Sequence, residues 1–370
     1  MGKIRRALGL MSGTSMDGID IALIEADGQD HVRRIAAAGV DYGDPFKARL
    51  RRAIEEAKPV TNRDQRPGTL GAVERELTDL HADAVRRFLG DHMLQPSAVD
   101  VIGFHGQTVL HRPADGLTVQ LGDGYRLAAQ TGIDVVYDLR ADDCAAGGEG
   151  APLAPAYHRA LAAKVPERPV AFLNIGGVAN VTWIGANGAL LAFDTGPGNA
   201  LIDDWMLRHT GLARDADGAT AAAGKVDEAV LHAFLMQPHF AKPVPKSLDR
   251  NAFELDLAHE LSLVDGAATL AAFTAESVAR AREHMPEQPR LWIVCGGGRR
   301  NRTLMGMLAA RVENAVVPAE ALGLDGDTIE AEAWAYLAVR SLDGLPISWP
   351  GTTRVGQPIS GGRLARAPSA

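Results

Sequence analysis

The chain is poor in sulfur and in aromatics: two cysteines, Cys144 and Cys295, and 5% Phe, Trp and Tyr among 370 residues. Two thiols cannot staple a fold of this size and do not make a structural zinc site, so a reducing compartment fits best. An excess of positive charge is also missing, with 38 Lys and Arg against 46 Asp and Glu and a formal net charge of -8. Blanket attraction to nucleic acid or to an anionic membrane is therefore excluded, and any anionic ligand must be held by local geometry. Long hydrophobic runs are absent as well. The longest stretch, Ala171–Phe193, is broken by Asn174, Asn180, Thr182 and Asn187, and uncompensated amides in hydrocarbon are costly. Lys3, Arg5 and Arg6 resemble the start of a signal peptide, yet Ser12, Gly13 and Asp17 interrupt the apolar segment behind them. The expectation is a soluble cytoplasmic protein with neither nucleic-acid nor membrane partners.

What is present is core-forming residue and glycine. Hydrophobic residues make up 46% of the chain, and the length predicts two to three domains at roughly 150 residues each. The 40 glycines exceed the usual ~7%. They cluster in GLMSGTSMDG, GFHGQT, AAGGEGAP, NIGGVAN, FDTGPGN and CGGGRRN, each beside a short apolar run.

Residues 5–11 and 19–26 read as a hairpin with Asp17-Gly18 as its turn, and 32–40 as a third strand. Helical spacing of Leu70, Val73, Leu77, Leu80, Ala84 and Phe88 predicts a helix over 69–92, after another over 45–58. Strands are expected over 99–105, 117–121 and 134–139, then a Pro-initiated helix through 157–163. The grammar repeats with strands 170–175, 178–184 and 189–194, a helix capped by Asn199, helices near 227–236 and 267–284, a buried strand 291–295 and helices 301–308 and 330–342. The fold class is therefore α/β, with two related lobes. Residues 1–165 form the first, 166–345 the second with the last helix free to pack back on the first, and 346–370 a loosely held tail. The linker is 165–169.

The phosphate-loop signature GxxxxGK[ST] is absent and no GxGxxG opens a helix after a strand, so neither nucleotide site is expected. A hairpin tip containing Gly13, Thr14, Ser15 and Gly18 can instead turn several backbone N–H groups toward one point, an anion cradle without net charge. Asp17 can hold magnesium through water; the bland alternative is a tight turn with no ligand. Asn174, Gly176 and Gly177 in NIGGVANVT and the Asp-bearing FDTGPGN repeat the device in the second half, and Gly296, Gly297 and Gly298 offer bare backbone to a purine or ribose.

Taken in order, GLMSGTSMDG, GFHGQTVLH, DLRADDCAAGGEGAPLAP, LNIGGVANVT, FDTGPGN and CGGGRRN resemble the 1,6-anhydro-N-acetylmuramic acid kinase family, over residues 9 to about 345. The resemblance implies two actin-like (ribonuclease H-like) lobes with a nucleotide cleft between them. It implies ATP and Mg²⁺ as cofactors and a sugar substrate whose anhydro ring is opened by water and phosphorylated at O6 in peptidoglycan recycling. Oligomeric state stays open, a homodimer being the assembly considered. The alternatives are a kinase for another sugar or small acid on the same scaffold, or a nucleotide-dependent binding protein.

The resemblance also assigns roles. Asp194 is the general base, although an Asp opening a Thr-Gly turn is otherwise an Asx turn. Nucleotide is assigned to Ser12, Gly13, Thr14, Ser15, Met16, Asp17, Gly18, Asn174, Gly176, Gly177, Gly296, Gly297, Gly298 and Asn301. Sugar is assigned to His105, Gln107, Thr108, Asp138, Arg140, Asp142, Thr195, Gly196, Asn199 and Glu330; because guanidinium pairs bidentately with carboxylate, Arg140 is a candidate for the lactyl carboxylate, a structural salt bridge within its loop being the alternative. Against the family pattern PKSTGREYF, the segment PKSLDRNAF keeps Lys246, Ser247, Arg250 and Phe253 and departs at Leu248, Asp249 and Asn251. Glu149 replaces a common Gln.

Overall fold

A computed structural model describes residues 2–13, 16–249 and 252–368. The chain divides into two compact units, Met1–Lys164 with Thr328–Ala370, and Val165–Asp327. In the first, β1 (Arg5–Met11), β2 (Gly18–Ala26) and β3 (Val32–Asp41) form an antiparallel meander. Strand β4 (Val101–Phe104) lies parallel to β1. A separate ribbon, β5 (Gln107–Arg112) with β6 (Leu117–Leu121), precedes β7 (Val135–Tyr137), which lies parallel to β4.

The second unit repeats the plan. Strands β8 (Val170–Ile175), β9 (Val178–Ile184) and β10 (Leu190–Pro197) form the meander, and β11 (Leu291–Cys295) and β12 (Ala315–Pro318) follow in parallel. The orders β3-β2-β1-β4-β7 and β10-β9-β8-β11-β12 correspond strand for strand, so the chain is α/β with two ribonuclease H-like units. All five residues of β11 are buried, as in a parallel strand covered on both faces.

Helix Leu70–Asp91 buries Leu70, Val73, Leu77, Ala84 and Phe88, the stripe that its spacing predicts. Helix Leu263–Ala281 starts at Ser262, whose Oγ accepts the Asp265 N–H at 3.2 Å, and its small residues are buried nearly all round. It therefore forms the central rod of the second unit, packed on helices Ala200–Thr210 and Arg302–Val312 and on β10. Helix Ile329–Leu342 packs on β1, β2 and β4 of the first unit. A Cβ on Gly9 would stand 1.8 Å from the Ala331 carbonyl oxygen and one on Gly103 2.0 Å from that of Trp334, so bare strand backbone sets how closely this helix approaches.

Several expectations change. The second unit ends at Asp327 and not at 345, and the final helix groups with the first unit, the packing that its sequence left open. Of the expected loosely held tail 346–370, the described part, 346–368, is anchored: β13 (Arg363–Ala365) pairs antiparallel with β7, and the Ser348 and Thr353 hydroxyls bond the buried Asp143 carboxylate, Thr353 at 2.6 Å. Asp17-Gly18 is not the hairpin turn. The Met16 N–H instead reaches the Gly13 carbonyl at 3.1 Å with Met16 left-handed at φ 57°, and Gly18 already pairs with Asp41 in β2. Strand 117–121 forms as expected and lies in the two-stranded ribbon.

Candidate active site

In the first unit, short polar contacts fix the end of β1. Ser12 is fully buried; its Oγ donates to Gln107 Oε1 at 2.8 Å and accepts from the Tyr42 hydroxyl at 3.0 Å. Gln107 Nε2 donates to the Gly13 carbonyl at 3.2 Å, and His105 Nδ1 lies 3.1 Å from the Ser12 carbonyl. The GFHGQT segment thus holds Ser12 and Gly13 in place. Thr14 and Ser15 lie outside the described residues.

His105 is joined to Arg140, whose Nε donates to His105 Nε2 at 3.2 Å and whose Nη1 donates to the Gly150 carbonyl at 2.9 Å. Accepting that bond leaves the proton of His105 on Nδ1. Burial and the Arg140 charge push the His105 pKa well below its usual value, so the ring is neutral. Trp334 faces both groups: its ring centroid is 4.5 Å from that of His105 and 4.9 Å from the Arg140 guanidinium carbon. Burial brings the Arg140 pKa down to about 10, and the exposed Glu330 counteracts it. Glu330 occupies the second position of its helix after Thr328 at the N-cap. Nη2 of Arg140 carries no hydrogen bond among the described residues.

Other sugar-side candidates are held by the fold. Asp138, left-handed at φ 61°, pairs with Arg63 and lies 3.3 Å from Arg363. Asp142 accepts the Gly362 N–H at 3.0 Å, and the Thr108 hydroxyl accepts from Gln120 at 3.2 Å.

In the second unit, Asp194 sits on β10 beside a bulge between Asp194 and Gly196, a device that re-aims a side chain. Its N–H donates to the Lys246 carbonyl at 2.8 Å, and its Oδ2 accepts the Leu248 N–H at 2.7 Å. Among the described residues no cation pairs with this carboxylate. Burial raises its pKa from the usual 3.8 to about 6, and the Leu248 N–H opposes that rise. Because the contact is made by backbone, the Leu248 departure leaves it intact. Lys246 is buried, with Nζ donating to the His239 carbonyl at 3.1 Å. Arg250 and Asn251 lie outside the described residues.

The second hairpin tip is fixed by backbone. Gly198 N–H donates to Gly177 O at 2.9 Å and Asn199 N–H to Gly176 O at 2.7 Å. Asn199 stands at the N-cap but does not cap with its side chain; its Nδ2 donates to Ile175 O at 3.0 Å. Thr195 is turned inward, donating to Ala179 O at 3.1 Å, and Gly196 lies against Ser277. Gly296 and Gly298 pack on Asn174 and Ile175, Gly297 is exposed, and Asn301 caps its helix by accepting the Leu304 N–H at 2.9 Å. Neither His239 nor Trp334 and Tyr42 stood out in the sequence: none lies in a glycine cluster, and only tertiary packing brings them to these sites.

Among the described residues no group of three or more His, Cys, Asp or Glu is arranged to hold a metal ion. The exposed Asp17 carboxylate suits an ion that keeps its waters and takes its remaining ligands from phosphate. Among the same residues no helix is long and apolar enough to cross a membrane.

A family model described as anhydro-N-acetylmuramic acid kinase matches residues 5–366. The anhydro-N-acetylmuramic acid kinase of Methylobacterium nodulans is 54% identical over 98% of this chain and 100% of its own, and that of Rhizobium etli 53% over 99% and 100%. Among solved structures, a ROK family glucokinase from Streptomyces griseus in complex with glucose and AMPPNP is 13% identical, at a TM-score of 0.42 over 90% of this chain and 98% of its own.

Proposed function

Because the chain belongs to the anhydro-N-acetylmuramic acid kinase family and is thereby a phosphotransferase, we propose that it opens and phosphorylates 1,6-anhydro-N-acetylmuramic acid at the expense of ATP, in cytoplasmic peptidoglycan recycling. The anhydro sugar has no free 6-hydroxyl, so a water must be added. Its oxygen attacks the anomeric carbon and its proton passes to Asp194. The bond from that carbon to O6 breaks, O6 attacks the γ-phosphorus, and ADP departs. The products are N-acetylmuramic acid 6-phosphate and ADP.

The observation that carries this reading is the Asp194 carboxylate, held by one backbone N–H, without a counter-cation among the described residues, and with a pKa raised to about 6. A base poised near the working pH is ionised yet still accepts a proton readily, which contributes roughly 10²–10⁴-fold. Phosphoryl transfer otherwise asks for positioning and charge neutralisation. In each unit the glycine-rich segment would receive phosphate, and Asp17 would hold magnesium through water. That ion, when bound, supplies neutralisation of phosphate charge. The unbonded Nη2 of Arg140 is directed to the lactyl carboxylate, with Glu330 and His105 on the sugar side.

The test is ADP release with and without the anhydro sugar, with product mass recorded. The expected product has gained one water and one phosphoryl group. ADP release indifferent to the sugar, or a product lacking the added water, overturns the reading.

A further inference from the structure

The carboxylate assigned as base stands on an edge strand. β10 is the outermost strand of the second sheet and pairs with β9, so the Asp194 backbone groups that face away from β9 look off the sheet. An edge position beside a bulge is where a strand bends most easily. Both groups are nevertheless taken. The Asp194 N–H donates to the Lys246 carbonyl at 2.8 Å, and the Asp194 carbonyl lies 3.2 Å from His239 Nε2. A carbonyl only accepts, so the His239 proton is on Nε2. Burial, joined by the Lys246 charge, brings the His239 pKa down to about 4, and the ring is neutral with this one tautomer.

The remaining contacts close a circuit around residue 194. Lys246 Nζ donates to the His239 carbonyl at 3.1 Å, and the Leu248 N–H donates to Asp194 Oδ2 at 2.7 Å. The turn that carries His239, Pro238–Ala241, is fixed by aromatic packing. The Phe240 and Phe253 ring centroids lie 5.8 and 5.3 Å from that of Phe273, on helix Leu263–Ala281. The His239 ring meets Phe240 edge-on at 5.5 Å. The imidazole thus connects the central helix of the second unit to the Asp194 backbone. Its Nδ1 is buried with no hydrogen-bond partner among the described residues, a cost that a phenyl ring of similar size avoids. What imidazole adds in return is the Nε2–H.

We propose that His239 is a positioning residue for the reaction: by holding the Asp194 carbonyl at the bulge, its Nε2–H fixes the direction in which the Asp194 carboxylate meets the attacking water. The proposal rests on the reading of Asp194 as base and adds the group that aims it.

The test uses His239→Phe and His239→Gln in the full chain, with ADP release measured at varied ATP and anhydro sugar and turnover taken per folded protein. Phe keeps an aromatic ring against Phe240 and removes the donor. Gln keeps an N–H in place of Nε2 and removes the ring. His239→Phe is expected to lower kcat about tenfold with both KM values unchanged, within the loss that misplacing a reacting group causes. His239→Gln restores kcat to near the parent value, although its denaturant midpoint falls below that of His239→Phe. Activity and stability then rank the two variants in opposite order, which a residue that only packs does not produce. Parental kcat in His239→Phe, or a kcat in His239→Gln as low as in His239→Phe, overturns the assignment. Should His239→Phe fail to fold, His239→Gln decides alone: a kcat near the parent value at a lowered midpoint supports the assignment, and a fall in kcat overturns it. Asp194→Asn, measured alongside, separates the two readings. Retained turnover there removes the base and the positioning with it, whereas lost turnover there beside parental kcat in His239→Phe removes the positioning alone.

Discussion

Two carboxylates, one in each unit, are treated in opposite ways. Glu332 is 2% exposed and fully partnered: Arg34 bonds Oε1, the Thr328 hydroxyl donates to the same oxygen at 2.9 Å, and the Tyr157 hydroxyl donates to Oε2 at 2.7 Å. Asp194 has one backbone N–H and no cation among the described residues. The first arrangement ties β3, helix Pro155–Ala162 and helix Ile329–Leu342 together. The second leaves a carboxyl group whose charge the fold tolerates poorly. Satisfied polar groups belong to architecture, and a carboxylate left short of partners is a candidate for chemistry.

Replacing each carboxylate by its amide separates the two roles. Asp194→Asn is expected to lower turnover by roughly 10²–10⁴-fold while ADP affinity, read by calorimetry, stays near the parent value. Retained turnover would remove Asp194 from the base role. Glu332→Gln is expected to cost about 3–5 kcal/mol, as for a buried pair that loses one partner, read as a fall in denaturant midpoint, with turnover of the folded fraction kept. Lost turnover at unchanged stability would mean that the partnered carboxylate is chemical after all.

The pH dependence sharpens the same contrast. As pH falls below about 6, protonation of Asp194 should reduce kcat/KM, approaching tenfold per unit well below that value. Stability runs the other way, because the folded protein holds that proton more tightly than the unfolded chain does. Its contribution is largest below the usual 3.8 and declines until pH passes about 6. At about 1.4 kcal/mol per unit of difference, the penalty at neutral pH is up to about 3 kcal/mol. Asp194→Asn should therefore be the more stable protein above pH 7 while being the less active one. A variant destabilised at that pH would show that the carboxylate is held by contacts and not merely tolerated.

How much of this the sequence disclosed depends on the range of the interaction. Strands β1 to β3 and β8 to β10 follow from alternation and glycine punctuation, and the helix Leu70–Asp91 from its apolar spacing. The helix Ile329–Leu342 was legible as a helix free to pack back on the first unit, but what sets its approach was not, because its docking depends on the absence of side chains at Gly9 and Gly103. Strand β12, Ala315–Pro318, carries only four residues, too few for a pattern. Asp194 was found through a motif. That Leu248 contributes a backbone N–H was not legible, since any residue other than proline offers one. The inward turn of Thr195 follows from its place on β10, and Asn199 forgoes capping because the Ile175 carbonyl lies within reach of its amide.

Arg140 extends the comparison to a cation with only part of its donors engaged. Nε and Nη1 are held by His105 and the Gly150 carbonyl, and the guanidinium lies over the Trp334 ring; Nη2 is the donor proposed for the lactyl carboxylate. Lysine keeps the charge but loses the planar fork and the stacking. Arg140→Lys should raise KM for the anhydro sugar about tenfold, the worth of one hydrogen bond to a charged group, with ADP affinity unchanged. Loss of the Gly150 and His105 bonds should at the same time lower stability by about 1–2 kcal/mol. The sugar KM decides between the roles, because a purely architectural arginine would change the denaturant midpoint and leave KM where it was.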